Sequence, residues 1–458
     1  METPFIDRRV ELAVLEREWR SRGTRLVIVY GRRRTGKTRL LREWCRGRRC
    51  VYFLAAEVSY QQLSTWFSQA VGEQLAVYVP PTDLLEAITR LAKTSTTRTA
   101  VILDEFQYIV EADKSTPSRL QKLLDEELRE TSLVLVLSGS AISFFQKELL
   151  GYRAPLFGRR TAQIKLKPMR YGEARGFYNK MPPEDAARAY SILGGTPAYA
   201  MHAYNKTLDE LLEELTQPGH PLQDEALALL RQELREPRSY AAILAAVSQG
   251  KTRPAEAAQQ AGIDPRTIHR YIEVLDTLDI LEKKPPLGAR RGARLRFKDP
   301  YFHAYFKLIL PALSLIEAGH TGEAKKLIEE KIDQHTAQWI PRILEQHAPE
   351  LHRAGLAPRP AQLGPWWHRD TEIDLVIRDP GKETLLVEAK WSNLTRREAE
   401  RELNKLEAKA EKTGLLSPIN TYMLVARRIE GIKCSIEKED HRVLADWCYI
   451  DSIVKHSS

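Results

Sequence analysis

Residues 26–38 read LVIVYGRRRTGKT, and RLLREWC follows at 39–45. A β-branched apolar run breaks at Gly31, a second glycine arrives at Gly36, and Lys37 and Thr38 open an amphipathic segment. That order is strand, loop, helix. Backbone N–H groups of such a loop, gathered at a helix N-terminus, wrap phosphate oxygens. Gly31, Arg32, Arg33, Arg34, Thr35 and Gly36 form the cradle. Lys37 carries positive charge to the β- and γ-phosphates, and Thr38 offers its hydroxyl to Mg²⁺. ATP and Mg²⁺ are the cofactors this reading expects.

Working outward, VILDEF at 101–106 is a buried strand ending in two carboxylates. Asp104 is expected to hold the Mg²⁺ through water and Glu105 to polarise an attacking water, which makes hydrolysis the expected chemistry. Ser138 and Ser140, after the apolar run LVLVL, are candidates to sense the γ-phosphate, with a plain Gly-Ser turn as the alternative. Arg159 and Arg160, in PLFGRRT, are candidates to stabilise transition-state charge, with a solvated or ion-paired role as the alternative. Further runs at 51–56 and 162–168 complete the signature of a buried parallel sheet.

These motifs resemble the archaeal ATPase family of the signal-transduction ATPases with numerous domains. FIDRRVEL (5–12), YGRRRTGKT (30–38), ILDEFQY (102–108), LSGS (137–140), PLFGRRT (155–161) and YSILGGTPAY (190–199) carry the resemblance. It implies a five-stranded core with one strand inserted between the phosphate-loop strand and the metal-binding strand. It further implies that Asp7, Arg8 and Glu11 lie on the nucleotide side, and that Pro197 of a helical lid packs near the adenine.

The chain has 458 residues and a formal charge of +9, with 43% hydrophobic and 29% charged residues. The length suggests about three domains, and the composition excludes a disordered or fibrous chain. No secretory segment or membrane span is legible, so a cytoplasmic protein is expected. Four cysteines without CxxC spacing argue against zinc and, in a reducing compartment, against disulfides, although Cys45 and Cys50 are close enough in sequence to pair. The positive charge suits nucleic acid but equally suits an arginine-rich heat-adapted surface.

The expected organisation is a P-loop ATPase core at 1–170, a helical lid at 171–235, a winged helix at 236–300, a helical connector at 301–330 and a restriction-endonuclease-like α/β domain at 331–458. In the winged helix, Asp264 caps and Pro265 starts a recognition helix. Its apolar stripe is Ile268, Ile272 and Leu275, so Arg266, Thr267, His269 and Arg270 face away, with His269 read as a surface residue. The loop 283–296 carries Lys283, Lys284, Arg290, Arg291, Arg294 and Arg296 without an acid. Arg266, Thr267, Arg270, Arg290, Arg291 and Arg294 are the expected DNA contacts, an internal switch being the alternative.

Near the C-terminus, EIDLVIR (372–378) and TLLVEAK (384–390) flank the turn RDPGKE. Period-2 alternation places Glu372 with Asp374, and Glu388 with Lys390. Asp374 and Glu388 can thus converge on a divalent metal while Lys390 orients water, as phosphodiester hydrolysis requires. The stretch resembles the PD-(D/E)XK nuclease superfamily, and within it the C-terminal domain of unknown function that accompanies archaeal ATPases. That domain's helical Phe-Glu pair is replaced by Trp339-Ile340, and Glu345 would substitute only if the helix were shifted. Trp366, Trp367 and Trp391 are read as packing around the hairpin. The resulting expectation is a Mg-dependent ATPase switch that binds DNA, with a protein partner or a second copy of itself and with the nuclease function open. A non-enzymatic DNA-binding regulator or adaptor with structural nucleotide is the alternative.

Overall fold

The computed structural model describes residues 4–80 and 82–455. It divides into two compact units, one ending at Lys167 and one starting at Pro168.

The first unit is built on β1 (Arg25–Tyr30), β2 (Cys50–Leu54), β3 (Thr99–Asp104), β4 (Leu133–Gly139) and β5 (Ala162–Lys165). All neighbours pair in parallel, in the order β2-β3-β4-β1-β5, so β4 is the strand inserted between the phosphate-loop strand and the acidic strand. Every residue of β3 and β4 is buried. This burial on both faces is why these strands read as unbroken apolar runs rather than alternating ones. Leu40, Leu41 and Trp44, from the helix Lys37–Cys45, pack on Val27, Val29, Ile102 and Val136. The helix is thereby fixed over the sheet, and its N-terminus lies at the carboxyl edge where open α/β sheets bind ligands.

The second unit begins with helices, including Pro183–Leu193 and the short Pro197–Ala200. Helices Pro237–Ser248, Pro254–Gln260 and Ile268–Thr277 are followed by an antiparallel hairpin of β6 (Leu281–Lys284) and β7 (Arg294–Phe297). The third of these helices starts at Ile268, not Pro265, because residues 265–267 form a turn stapled by the Thr267 hydroxyl to the Asp264 carbonyl at 2.9 Å. The helix Thr321–Ala337 runs unbroken through the expected boundary between residues 330 and 331.

A six-stranded mixed sheet closes the second unit. Its strands are β8 (Gln362–His368), β9 (Thr371–Asp379), β10 (Glu383–Leu394), β11 (Ile419–Ile429), β12 (Ile436–Glu439) and β13 (Arg442–Asp446), in the order β12-β13-β11-β10-β9-β8. The helix Arg396–Ala410, started by a Thr395–Glu398 capping box, buries Leu403 and Leu406 against it. The cysteines depart from the free thiols expected: Cys45 is bonded to Cys50 and Cys434 to Cys448. Among the described residues, no helix is long and apolar enough to cross a membrane.

Candidate functional site

The phosphate loop is shaped by two glycines. Gly36 adopts φ 91°, the left-handed region glycine occupies without penalty. A Cβ at Gly31 would meet the Leu166 carbonyl oxygen at 2.2 Å, so no larger residue fits there. Lys37 Nζ donates to the Gly31 and Arg32 carbonyls at 2.8 and 3.1 Å, which keeps the ammonium inside the loop. Arg32 is buried, Arg33 half-buried and Arg34 exposed. Arg8, itself buried at φ 68°, reaches the loop from outside it. Its Nη2 donates to the Thr35 and Lys167 carbonyls, both at 2.9 Å, while Nη1 pairs with Glu11 at 2.9 Å. Asp7 Oδ1 accepts from the Arg9 amide at 3.3 Å, so the Asp-Arg-x-x-Glu motif forms one brace with Arg8 as its contact to the loop.

Asp104 and Glu105 are held by different partners. Asp104 Oδ2 accepts the Thr38 hydroxyl at 2.8 Å and also the Tyr52 phenol. Burial, and then the Asp104 charge, push the Tyr52 phenol well above its ordinary value, so it stays a donor. Glu105 sits at φ 53°, a strained value for a non-glycine residue. Its Oε2 accepts from the Ser140 amide at 3.2 Å, the Ser140 hydroxyl at 2.8 Å and the Gln107 side-chain amide. Ser140 is therefore a clamp on Glu105. Tyr52 and Gln107 were not legible as site residues, because each reaches the acids across strands. Ser138 is buried, with no partner for its hydroxyl among the described residues.

Arg159 and Arg160 do not join this site. Ala162 pairs with Val27 and Lys165 with Tyr30, so the two arginines precede β5 at the amino edge of the sheet. At about 3.3 Å per residue, that edge lies on the order of 20 Å from the loop at the other end of β1. Arg159 pairs there with Asp125 at 3.0 Å, and Arg160 lies over the Phe157 ring at 5.3 Å.

In the second unit, Pro197 is the first residue of its short helix and is half-buried, after Gly194 at φ 68°. A Cβ on Gly195 would clash with the Met169 carbonyl oxygen at 1.7 Å, which explains the paired glycines. Arg266 folds back onto Asp264 at 2.7 Å, and Arg270 lies beside the Tyr271 ring at 5.2 Å. Arg290 and Arg291 are exposed. Arg294 is not a free contact: its Nη1 pairs with Glu372 at 2.8 Å and its guanidinium stacks on Trp367 at 4.6 Å. Trp367 Nε1 in turn donates to the Gly292 carbonyl at 3.0 Å, which ties the hairpin loop to β8 and β9. Between them lies a groove of about 930 Å³, lined by Arg253, Lys283, Arg291, Arg369, Lys412 and Trp367 among others, with no Asp or Glu in its wall among the described residues. Arg253, Arg369 and Lys412 are scattered in sequence, so only folding assembles them.

The C-terminal acids do meet. Leu375 pairs with Val387 in the antiparallel register, which sets Asp374 opposite Glu388. Asp374 Oδ2 accepts the Ala389 amide at 2.8 Å. Burial, and then the neighbouring Glu388 charge, push the Asp374 carboxyl up to about 6. Glu388 lies between two ammonium groups, Lys390 at 2.8 Å and Lys409 at 2.9 Å. Glu345 is elsewhere, paired with Arg296 at 2.7 Å and Lys284 at 2.9 Å, so it does not supply a third acid. Among the described residues, no group of three His, Cys, Asp or Glu side chains is placed to hold a metal.

Residues 5–202 match the family described as an ATPase domain predominantly from Archaea. Over this stretch the chain is similar to archaeal ATPase domains and carries the phosphate loop described above. Residues 305–402, which include Asp374, Glu388 and Lys390, match a family of archaeal and bacterial proteins of unknown function. An uncharacterized protein of Methanocaldococcus jannaschii is 28% identical over 433 residues, covering 93% of this chain and 96% of the relative. An uncharacterized ATP-binding protein of the same organism is 48% identical over 40 residues, covering 9% of this chain and 68% of its own. Among solved structures, the Walker-type ATPase of Pyrococcus abyssi is similar in fold with a TM-score of 0.50. At 16% identity it covers 66% of this chain and 96% of its own, a likeness of architecture alone.

Proposed function

We infer that the chain is an ATP-hydrolysing switch whose nucleotide state is read out by its second unit. The observation that carries this reading is the separate anchoring of the two acids, with Asp104 on Thr38 at 2.8 Å and Glu105 on Ser140 at 2.8 Å. Hard oxygen donors side by side fit Mg²⁺, so Thr38 and Asp104 would hold it, and the ion would supply positive charge to the phosphates. Glu105, fixed at the next position, orients the water. Arg159 and Arg160, on the far rim of their own sheet, fit the solvated or ion-paired alternative instead. The test is phosphate release by wild type, Lys37→Ala and Glu105→Gln. Glu105→Gln should retain ATP and lose turnover at least about a hundredfold. Equal rates in wild type and Glu105→Gln would overturn the assignment, and tight ATP retention without turnover by wild type would favour the adaptor reading.

The three helices and hairpin of residues 237–297 support a winged helix, and its basic groove supports binding of a DNA backbone. Arg291 is kept from the expected set, with Lys283, Arg369 and Lys412 added.

The convergence of Asp374, Glu388 and Lys390 favours a second activity, metal-dependent phosphodiester cleavage. The two carboxylates suit a divalent cation, with substrate phosphate completing the oxygen donors. Supercoiled plasmid incubated with Mg²⁺ or Mn²⁺ tests this, since nicking should vanish in Asp374→Ala and Lys390→Ala. Nicking that survives both, or none in either metal, leaves the domain a binding scaffold.

A further inference from the structure

A cavity of about 460 Å³ lies in the second unit, walled by the hairpin, the aromatic turn at 305–309 and the long helix Thr321–Ala337. Lys331 and Gln334 reach it from that helix, and Gln338 from the residue that caps its C-terminus, at spacings of three and four. Lys307 comes from the aromatic turn, and Arg342 from the first turns of the next helix. Among the described residues, no Asp or Glu lines the wall.

The charges in this wall are not equivalent. Arg296 is neutralised by Glu345 at 2.7 Å and by Glu282. Lys307 and Lys331, both half-buried, have no ion pair or hydrogen bond among the described residues. Burial pushes the Lys307 ammonium below its ordinary value, and burial together with the nearby Arg296 lowers Arg342 to about 9. Arg342 donates to the Phe297 carbonyl and stacks on Trp339 at 4.5 Å, so its guanidinium is held in place. His303 is 3% exposed and accepts the Trp339 indole N–H at Nδ1, 3.2 Å away. The neutral ring therefore carries its proton on Nε2, a donor with no partner among the described residues. Half-buried cations without counter-charge are costly unless something anionic joins them.

We propose that this cavity binds a small phosphate-bearing ligand of mononucleotide size, with Lys307, Lys331 and Arg342 on the phosphate. The amides of Gln334 and Gln338 and the His303 N–H serve its neutral polar part. The volume falls in the range of small-molecule pockets and exceeds what inorganic phosphate fills. The site lies outside the phosphate loop, the basic groove and the acidic hairpin, so it stands or falls independently of the ATPase reading.

The probes are AMP, inorganic phosphate and a 5′-phosphorylated oligonucleotide, titrated calorimetrically into full-length Lys37→Ala protein to silence the phosphate loop. AMP should bind with one site per chain and weaken at least about tenfold in Lys37→Ala/Lys307→Gln and Lys37→Ala/Lys331→Gln. Lys307→Arg, which keeps the charge, should retain most of the affinity, separating lost charge from misfolding. If the oligonucleotide binds with the same Lys307 dependence and AMP does not, the phosphate comes from a nucleic-acid end. No binding of any probe up to about 10 mM, or binding indifferent to Lys307 and Lys331, overturns the proposal.

Discussion

The Ser140 hydroxyl donates to Glu105 Oε2 at 2.8 Å, joining the end of β4 to the residue after β3 across a separation of 35 residues. Glu105 is at φ 53°, so its backbone would relax if nothing held the side chain. Ser140→Ala should lower kcat on the order of tenfold while changing ATP affinity less than about threefold, because the clamp orients the water-polarising acid without touching phosphate. Steady-state phosphate release and nucleotide titration measure the two effects, and an unchanged kcat would remove Ser140 from the machinery.

Arg8 spans 27 residues to the Thr35 carbonyl and 159 to the Lys167 carbonyl. Charge-assisted bonds from a buried guanidinium are worth about 1.5–3 kcal/mol each way of counting. Arg8→Ala should therefore weaken ATP binding about tenfold and lower the melting temperature, through loss of the loop's support. Fluorescent-nucleotide titration alongside a thermal melt checks both.

Arg291 in the hairpin loop and Arg294 at the start of β7 lie three residues apart and should behave differently with DNA. Arg294 is consumed by Glu372 and Trp367, whereas Arg291 is exposed in the groove. The Arg291→Glu/Lys412→Glu double variant should weaken binding and reduce the log–log salt slope by about 2. Arg294→Ala should leave the slope nearly unchanged and lower thermal stability instead. Anisotropy titrations at several salt concentrations separate the two outcomes.

Glu350 is 3% exposed and pairs with Arg170 at 3.1 Å. Burial alone would raise its carboxyl, but His347 and Arg170 hold it down to about 2. His347 is itself pushed below its ordinary value by burial, so near neutral pH Arg170, and Arg353 at 3.3 Å, are the charged partners. A depressed folded pKa contributes stability above the unfolded value near 4.5, and that stability is lost as pH falls towards 2. Glu350→Gln should thus cost about 3 kcal/mol at pH 7, with the gap from wild type closing between pH 4.5 and 2. Urea melts across that range provide the test.

The phosphate loop, the acidic strand and the parallel core were legible in the sequence because each is local. A buried strand, a glycine turn and a helix start are written in consecutive residues, and period-2 alternation likewise placed Asp374 with Glu388. The short strands β12 and β13, the bonded cysteine pairs and the continuous helix through residue 330 carry no comparable local pattern. Tertiary structure alone decided which partner each charged side chain takes. Arg159 fell to the far edge because parallel register puts the start of β5 at the opposite end from the loop. Arg294, expected as a DNA contact, pairs with Glu372, and Glu345, a substitute acid only for a shifted helix, pairs with Arg296. Ser140, a candidate phosphate sensor in the sequence, donates its hydroxyl to Glu105 in the fold. The physical reason is the same throughout: sequence spacing sets which face a side chain leaves from, but long-range packing sets which opposite charge it meets there.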